Sequence, residues 1–108
     1  MQARQFEPPW HTCEAALSEG FHLLGGEGGA ALSALLQRQA VVVSFDLGDN
    51  LNAVLKFIGK YREVPTSLAD ACLVRMTETL DDPIVLTTDG GFGIYRRHGR
   101  QVVPCVRP

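Results

Sequence analysis

Carboxylates at three positions of this sequence have surroundings that favour chemistry, and they are Glu19, Asp70 and Asp89. Glu19 shares a predicted helical face with Ala15, Ala16 and Leu23. A carboxylate among small apolar neighbours needs a partner, because burying it unpaired costs several kcal/mol or forces protonation. The alternative is a Glu at the edge of its helix that reaches solvent.

The two aspartates differ in their local setting. Asp70 follows Ser67 in the pattern Ser-x-x-Asp, so it can simply close a capping box at the start of a helix. Asp89 follows an apolar strand-like run and precedes Gly90 and Gly91. Open α/β sheets place ligand-binding groups at the carboxyl end of a strand, which favours a functional role for Asp89.

Carboxylates that converge near the end of a strand form a hard oxygen site, which suits Mg²⁺ or Mn²⁺ better than zinc. Such ions activate water and neutralise the charge of a phosphodiester. The three histidines, His11, His22 and His98, have no metal-ligand spacing, so a structural or surface role is favoured for each.

The densest basic cluster contains Arg96, Arg97, His98 and Arg100. In a chain of formal net charge -2, contact with nucleic acid would need such a local patch. A solvated hairpin with positive side chains explains the cluster equally well. Tyr95 stands nearly alone beside it, so no aromatic platform for single strands is predicted.

Four helices are predicted. The first runs from the N-cap Thr12 to Leu24, where Gly25 and Gly26 stop it, and a short second helix covers 30–39. The third starts at Asp49 or Asn50, and its apolar face contains Leu51, Val54, Leu55, Ile58 and Tyr61. The fourth starts at Ser67 and ends before Pro83, and its apolar side contains Ala69, Cys72, Leu73, Met76 and Leu80.

Two apolar runs, 41–45 and 84–88, are predicted as interior strands. Shorter strands are predicted at 93–97 and 101–106, around a turn at His98-Gly99. Helices between apolar strands imply a parallel sheet with helical cover. The glycine-rich stretch from Gly25 to Gly29 follows a helix, so it does not predict a dinucleotide loop.

The composition indicates a single domain over residues 1–108, with 1–10 as an irregular lead-in containing Pro8 and Pro9. The hydrophobic fraction of 45% is typical of a folded chain. Cys13, Cys72 and Cys105 are odd in number and widely spaced, which favours a reducing, cytoplasmic setting. Neither a membrane span nor a signal peptide is predicted.

Two segments together resemble a known family. The stretch PTSLADACLV from Pro65, followed by IVLTTDGGF from Ile84 and by Ile94-Tyr95-Arg96, is similar to the second half of PIN domains of the VapC toxin type. The upstream stretch TCEAALSE, from Thr12 to Glu19, resembles the second helix of the same family. The match spans 9–106, and the pairing of the two downstream motifs is its more specific part.

The resemblance implies a PIN-like three-layer α/β fold, with a short parallel sheet flanked by helices. It implies that Glu19, Asp70 and Asp89 bind Mg²⁺ or Mn²⁺ and catalyse RNA hydrolysis with water as the nucleophile and a 3′-hydroxyl product end. Arg96, Arg97 and Arg100 would then contact the RNA. An antitoxin protein and a second copy of the chain are the implied protein partners.

Two features depart from the family pattern. Family members usually begin with a strand that ends in Asp, and this sequence starts after that point, so the fold is expected to lack the usual first strand. The position two residues after Asp89, often acidic in relatives, is Gly91. Fewer acidic ligands weaken a divalent-ion site. The alternative to a ribonuclease is therefore an inactive PIN-like module that dimerises or binds an antitoxin.

Overall fold

The structure, a computed structural model, describes residues 8–80, 85–86 and 95–106. These residues form a mixed α/β fold. In chain order the elements are β1 (Trp10–Thr12), α1 (Glu14–Gln37), β2 (Val41–Val43), a 3₁₀ turn (Gly48–Asn50), α2 (Leu51–Lys60), α3 (Leu68–Glu78), β3 (Val85–Leu86), β4 (Arg96–Arg97), β5 (Gln101–Val102) and β6 (Cys105–Val106).

Helix α1 is two helical arms joined by a sharp break at Gly25. This glycine has φ 69° and ψ −162°, a conformation that side chains disfavour. The arms then fold back on each other, since a methyl group at Gly20 would lie 3.6 Å from Leu32 Cδ2. In a straight helix those positions would be about 18 Å apart. The predicted stop at Gly25 is confirmed, although the second arm begins before the predicted residue 30.

Strand β1 was not expected from the sequence. It pairs in parallel with β2, with Trp10 opposite Val41 and Thr12 opposite Val43. The prediction of Thr12 as an N-cap is therefore wrong. The prediction of an irregular lead-in over 1–10 is also wrong at Trp10, which belongs to β1. Cys13 is the N-cap instead, with extended φ/ψ and no side-chain capping bond. A segment of three residues shows no periodicity, and only its ladder partner reveals it as a strand.

Helix α3 lies at the centre of the packing. It begins after Ser67, whose Oγ accepts the Asp70 N–H at 3.0 Å, as the Ser-x-x-Asp pattern predicts. It contacts α1, α2 and β4. Its buried residues therefore occupy more than one face, and they are Ala69, Ala71, Cys72, Val74, Met76 and Thr77. The helix ends at Glu78, earlier than Pro83, and Leu80 beyond it is exposed.

Helix α2 presents a narrower apolar face than the sequence pattern suggests. Val54 is fully buried, and Ile58 and Tyr61 are partly buried against the core. Leu51 and Leu55, which the same periodicity placed on this face, are exposed. Neither Asp49 nor Asn50 caps α2 with its side chain, since the 3₁₀ turn leads directly into the helix.

The remaining strands form two further pairs. Strands β3 and β6 are parallel, and β4 and β5 form an antiparallel hairpin. The predicted turn is confirmed, with His98 at φ 52° and Gly99 at φ 77°, as a tight hairpin turn requires. Much of the predicted strand 84–88 lies outside the described residues. The parallel strands with flanking helices confirm the mixed α/β class, and no described helix has the length and apolar character needed to cross a membrane.

Two buried thiols pack together where α1 meets α3. Cys13 and Cys72 belong to one core cluster, with Phe45, Val54 and Met76, and each is at most 2% exposed. Burial raises the pKa of the Cys13 thiol. Burial and the neighbouring Cys13 raise the pKa of Cys72 to about 11. Folding therefore favours the protonated thiols.

We expect the free energy of unfolding to fall as the pH rises from 9.0, the ordinary thiol value, towards the folded Cys72 value of about 11. In that window the unfolded chain releases its thiol proton and the folded chain retains it. Urea unfolding with a reductant present should show the stability advantage of the wild type over Cys72→Ala narrowing across this window. An advantage that stays constant with pH would contradict the expectation.

Candidate functional site

The carboxylate of Asp70 accepts a hydrogen bond from a tyrosine hydroxyl. Its residue is partly buried in the first turn of α3. Oδ2 accepts a hydrogen bond from the Tyr95 hydroxyl at 3.0 Å, and that hydroxyl also lies 3.2 Å from Thr66 Oγ1. The backbone N–H of Asp70 bonds to Ser67, so Ser67 supplies its half of the predicted capping box. The carboxylate itself is directed to Tyr95, a partner that the capping-box interpretation does not include.

Tyr95 is fixed by an aromatic cluster. Its ring is 2% exposed and makes edge contacts with Phe57 at 5.2 Å and Tyr61 at 5.1 Å between centroids. Phe57 and Tyr61 also contact each other at 4.7 Å. The Tyr61 hydroxyl accepts the Arg96 N–H at 3.0 Å. Tyr95 thus has aromatic neighbours that its place in the sequence does not show, because they come from α2 and from the residue that follows it.

Glu19 lies on the first arm of α1 and is exposed. Ala15 and Ala16, on its predicted face, pack against the core, whereas Leu23 one turn later is 79% exposed. This face of the helix therefore turns from the core to solvent near Glu19. Glu19 is thus a glutamate at the edge of its helix, which is the alternative that the sequence left open. Helices α1 and α3 pack on each other, so Glu19 and Asp70 are carried by neighbouring elements.

The third predicted ligand, Asp89, lies outside the described residues. Within residues 8–80, 85–86 and 95–106, no three His, Cys, Asp or Glu side chains are grouped closely enough to hold a metal ion. The structure thus positions Asp70 in detail, places Glu19 on the adjoining helix and leaves the set of three as a prediction.

An open cleft of about 480 Å³ lies beyond the carboxyl ends of β1 and β2. Glu14, which follows β1, and Asp46, which follows β2, both line it. Asp46 Oδ1 accepts the Asp49 N–H at 3.0 Å, which orders the loop. The sequence reasoning did not select these two acids. Each of the two acids follows the end of a strand, which is the signal that could have identified them. For Glu14 that signal was missed, because β1 was not predicted.

The basic hairpin uses part of its charge inside the molecule. The Arg97 side chain donates a hydrogen bond to the backbone oxygen of Thr77 on α3. Its Nε is buried and has no hydrogen-bond partner among the described residues. The Arg96 guanidinium donates a hydrogen bond to the backbone oxygen of Tyr95 at 2.9 Å. Both residues are partly buried, so the alternative of a solvated hairpin holds for His98 and Arg100 and not for Arg96 and Arg97.

The turn of the hairpin faces solvent. His98 and Arg100 are exposed, and the His98 N–H donates to the Glu78 carboxylate at the end of α3. Lys60 donates to the Gly99 oxygen at 3.1 Å and so brings a further cation to the turn. Of the arginines predicted to contact nucleic acid, Arg100 is the exposed one.

Comparison with protein-family models, with curated proteins and with solved structures found no match for this chain. The family resemblance therefore rests on the motifs of the sequence itself.

Substitution of Arg97 should lower the stability of the fold more than substitution of Arg100. Arg97→Ala leaves the Thr77 carbonyl without its partner, so we expect a loss of about 1–3 kcal/mol in the free energy of unfolding. Arg100→Ala, at an exposed position, should change it by less than about 0.5 kcal/mol. Urea unfolding of both variants measures this, and equal losses would show that Arg97 is not packed as described.

Proposed function

We propose that the chain is a PIN-type ribonuclease of the VapC toxin kind, which hydrolyses RNA phosphodiester bonds with Mg²⁺ or Mn²⁺. Glu19, Asp70 and Asp89 are the proposed ligands and catalytic residues. The observation that carries the proposal is the Asp70 carboxylate, held by the Tyr95 hydroxyl at the start of the helix whose sequence carries the PIN-like motif.

The arrangement around Asp70 suits a hard cation. Tyr95 is a neutral donor, so it orients the carboxylate without neutralising its charge, and Thr66 bonds to the Tyr95 hydroxyl. The Tyr95 hydrogen bond goes to Oδ2, and the proposed cation would bind the other carboxylate oxygen, Oδ1. Carboxylate oxygens are the ligands that Mg²⁺ and Mn²⁺ prefer. A capping role alone requires no such orientation from Tyr95.

The mixed α/β fold is compatible with the proposed three-layer PIN arrangement. Two parallel strand pairs, β1–β2 and β3–β6, accompany helices that follow β1 and precede β3. The end of β1 leads directly into the helix that carries Glu19. In the sequence, Asp89 comes three residues after the end of β3. Two of the proposed ligands therefore belong to helices, and the third follows a strand.

The reaction proposed is the addition of water to phosphorus, with cleavage of the bond to the 3′ oxygen, which leaves as a 3′-hydroxyl. A bound divalent ion supplies charge neutralisation at the phosphate and lowers the pKa of water. The chain contributes carboxylates that hold the ion, and Arg100 beside the Lys60-supported turn offers positive charge for the RNA backbone. Arg96 and Arg97 would contribute through the hairpin they stabilise.

Cytoplasmic location, an antitoxin partner and a homodimer belong to the same proposal. A second candidate function is a PIN-like module that binds a partner without cutting RNA. The apolar side chains at the bend of α1 favour it, since Phe21, Leu23 and Leu24 are all exposed. Exposed apolar patches often mark protein-binding surfaces. Gly91, where relatives often have an acid, favours it as well.

Cleavage of a structured RNA in the presence of Mn²⁺ tests the proposal. We expect Asp70→Asn, Glu19→Gln and Asp89→Asn each to lower the rate by about 100-fold or more, because each removes a charged ligand. Glu27→Gln is the matched control, since Glu27 is an exposed acid on the second arm of α1. It should retain the wild-type rate.

Calorimetry that measures Mn²⁺ binding by the same proteins separates the two functions. Binding with cleavage that Asp70→Asn abolishes supports the ribonuclease. A protein that neither binds Mn²⁺ nor cuts RNA, yet associates with itself or an antitoxin, would be the binding module. Cleavage that survives in all three variants would reject the assigned residues.

A further inference from the structure

The Tyr95 side chain, which the family resemblance does not assign to the site, is aimed at the proposed ligand Asp70. We propose that Tyr95 is a positioning residue that orients the Asp70 carboxylate for a divalent cation, with Thr66 as the next link. This inference rests on the proposed function for the role of Asp70 and on the hydrogen bonds of this chain for the role of Tyr95.

The direction of the hydrogen bonds follows from proton counting. The Tyr95 hydroxyl has one proton, and an ionised carboxylate can only accept. The proton therefore goes to Asp70 Oδ2 at 3.0 Å, and the contact of 3.2 Å between the two hydroxyls is donated by Thr66. The chain from Thr66 through Tyr95 to Asp70 thus ends on the negative charge, which strengthens both bonds.

The position of the Tyr95 hydroxyl is fixed by packing on several sides. The ring lies in a buried cluster with Val74 and Val103, and it contacts Phe57 and Tyr61 edge-on. Val74 is on α3, one turn after Asp70. The helix that carries the carboxylate therefore also packs against the ring that carries the donor.

Such an arrangement acts on cation affinity. A carboxylate that already points in one direction loses less freedom when it binds a metal ion, and it retains its full charge because its partner is neutral. The cost of losing an outer partner of this kind is typically about 10–100-fold in metal affinity. A tyrosine that merely filled the core would show no such effect once its hydroxyl was removed.

Tyr95→Phe removes only the hydroxyl and keeps the ring. We expect it to weaken Mn²⁺ binding by about 10-fold or more, as measured by calorimetry. Tyr61→Phe is the matched control, because it removes a hydroxyl from the same cluster whose bond goes to the Arg96 N–H and not to Asp70. Its Mn²⁺ affinity should equal that of the wild type.

Cleavage assays give a second readout. High Mn²⁺ concentrations should restore the rate of Tyr95→Phe towards the wild-type value, because orientation affects occupancy of the site. A loss of folding would leave a deficit that added metal does not remove. Circular dichroism and urea unfolding establish that each variant is folded. If Tyr95→Phe does not fold, Thr66→Val carries the test, and it should weaken Mn²⁺ binding in the same direction by less.

The outcomes are distinct. Wild-type binding of Mn²⁺ with equal affinity in folded Tyr95→Phe would overturn the inference and leave the proposed function standing. The same holds for unchanged affinity in Thr66→Val where Tyr95→Phe is unfolded. A wild-type protein that binds no Mn²⁺ would overturn the proposed function and this inference together.

Discussion

The burial of α3 between α1, α2 and the β4–β5 hairpin is the constraint on which the rest of the structure depends. A helix buried on more than one face cannot rotate or slide without opening voids, and voids of even one methyl group are costly. The small residues Ala69, Ala71 and Cys72 let neighbouring elements approach closely at its start. Asp70 sits among them, so the direction in which its carboxylate leaves the helix is set by core packing.

This packing also decides which groups can accompany the charge of Asp70. An arginine beside a partly buried carboxylate would neutralise it and compete with any cation. The Tyr95 hydroxyl, itself bonded to the Thr66 hydroxyl, donates a hydrogen bond to the carboxylate and leaves its charge intact. The hairpin arginines bond to backbone oxygens, Arg96 to that of Tyr95 and Arg97 to that of Thr77. The charge that Asp70 retains supports the proposal that it binds a cation.

Local chemistry explains which elements the sequence could predict. Pro65 and Ser67 mark the start of α3, and Gly25 marks the break in α1, because each of these residues acts on its own neighbourhood. Strand β1 escaped because its three residues become a strand only through hydrogen bonds to β2. The partner of Asp70 escaped for the same reason, since Tyr95 lies 25 residues later in the chain. Glu19 was selected as a ligand because of its motif, and its exposure in the structure gives no further support for that role. Asp89 stays a prediction.

The hairpin shows that a count of basic residues does not give the charge that is exposed. Four basic residues lie between 96 and 100, but alternate residues of a strand point to opposite sides. Arg97 turns inward against α3, and the exposed charge is concentrated at the turn, around Arg100 and Lys60. At a formal net charge of -2, the chain as a whole would gain little RNA affinity from phosphate neutralisation alone. Under the proposed function, productive binding would then depend on the cation held by the carboxylates, and the orientation of Asp70 would matter for substrate affinity as well as for catalysis.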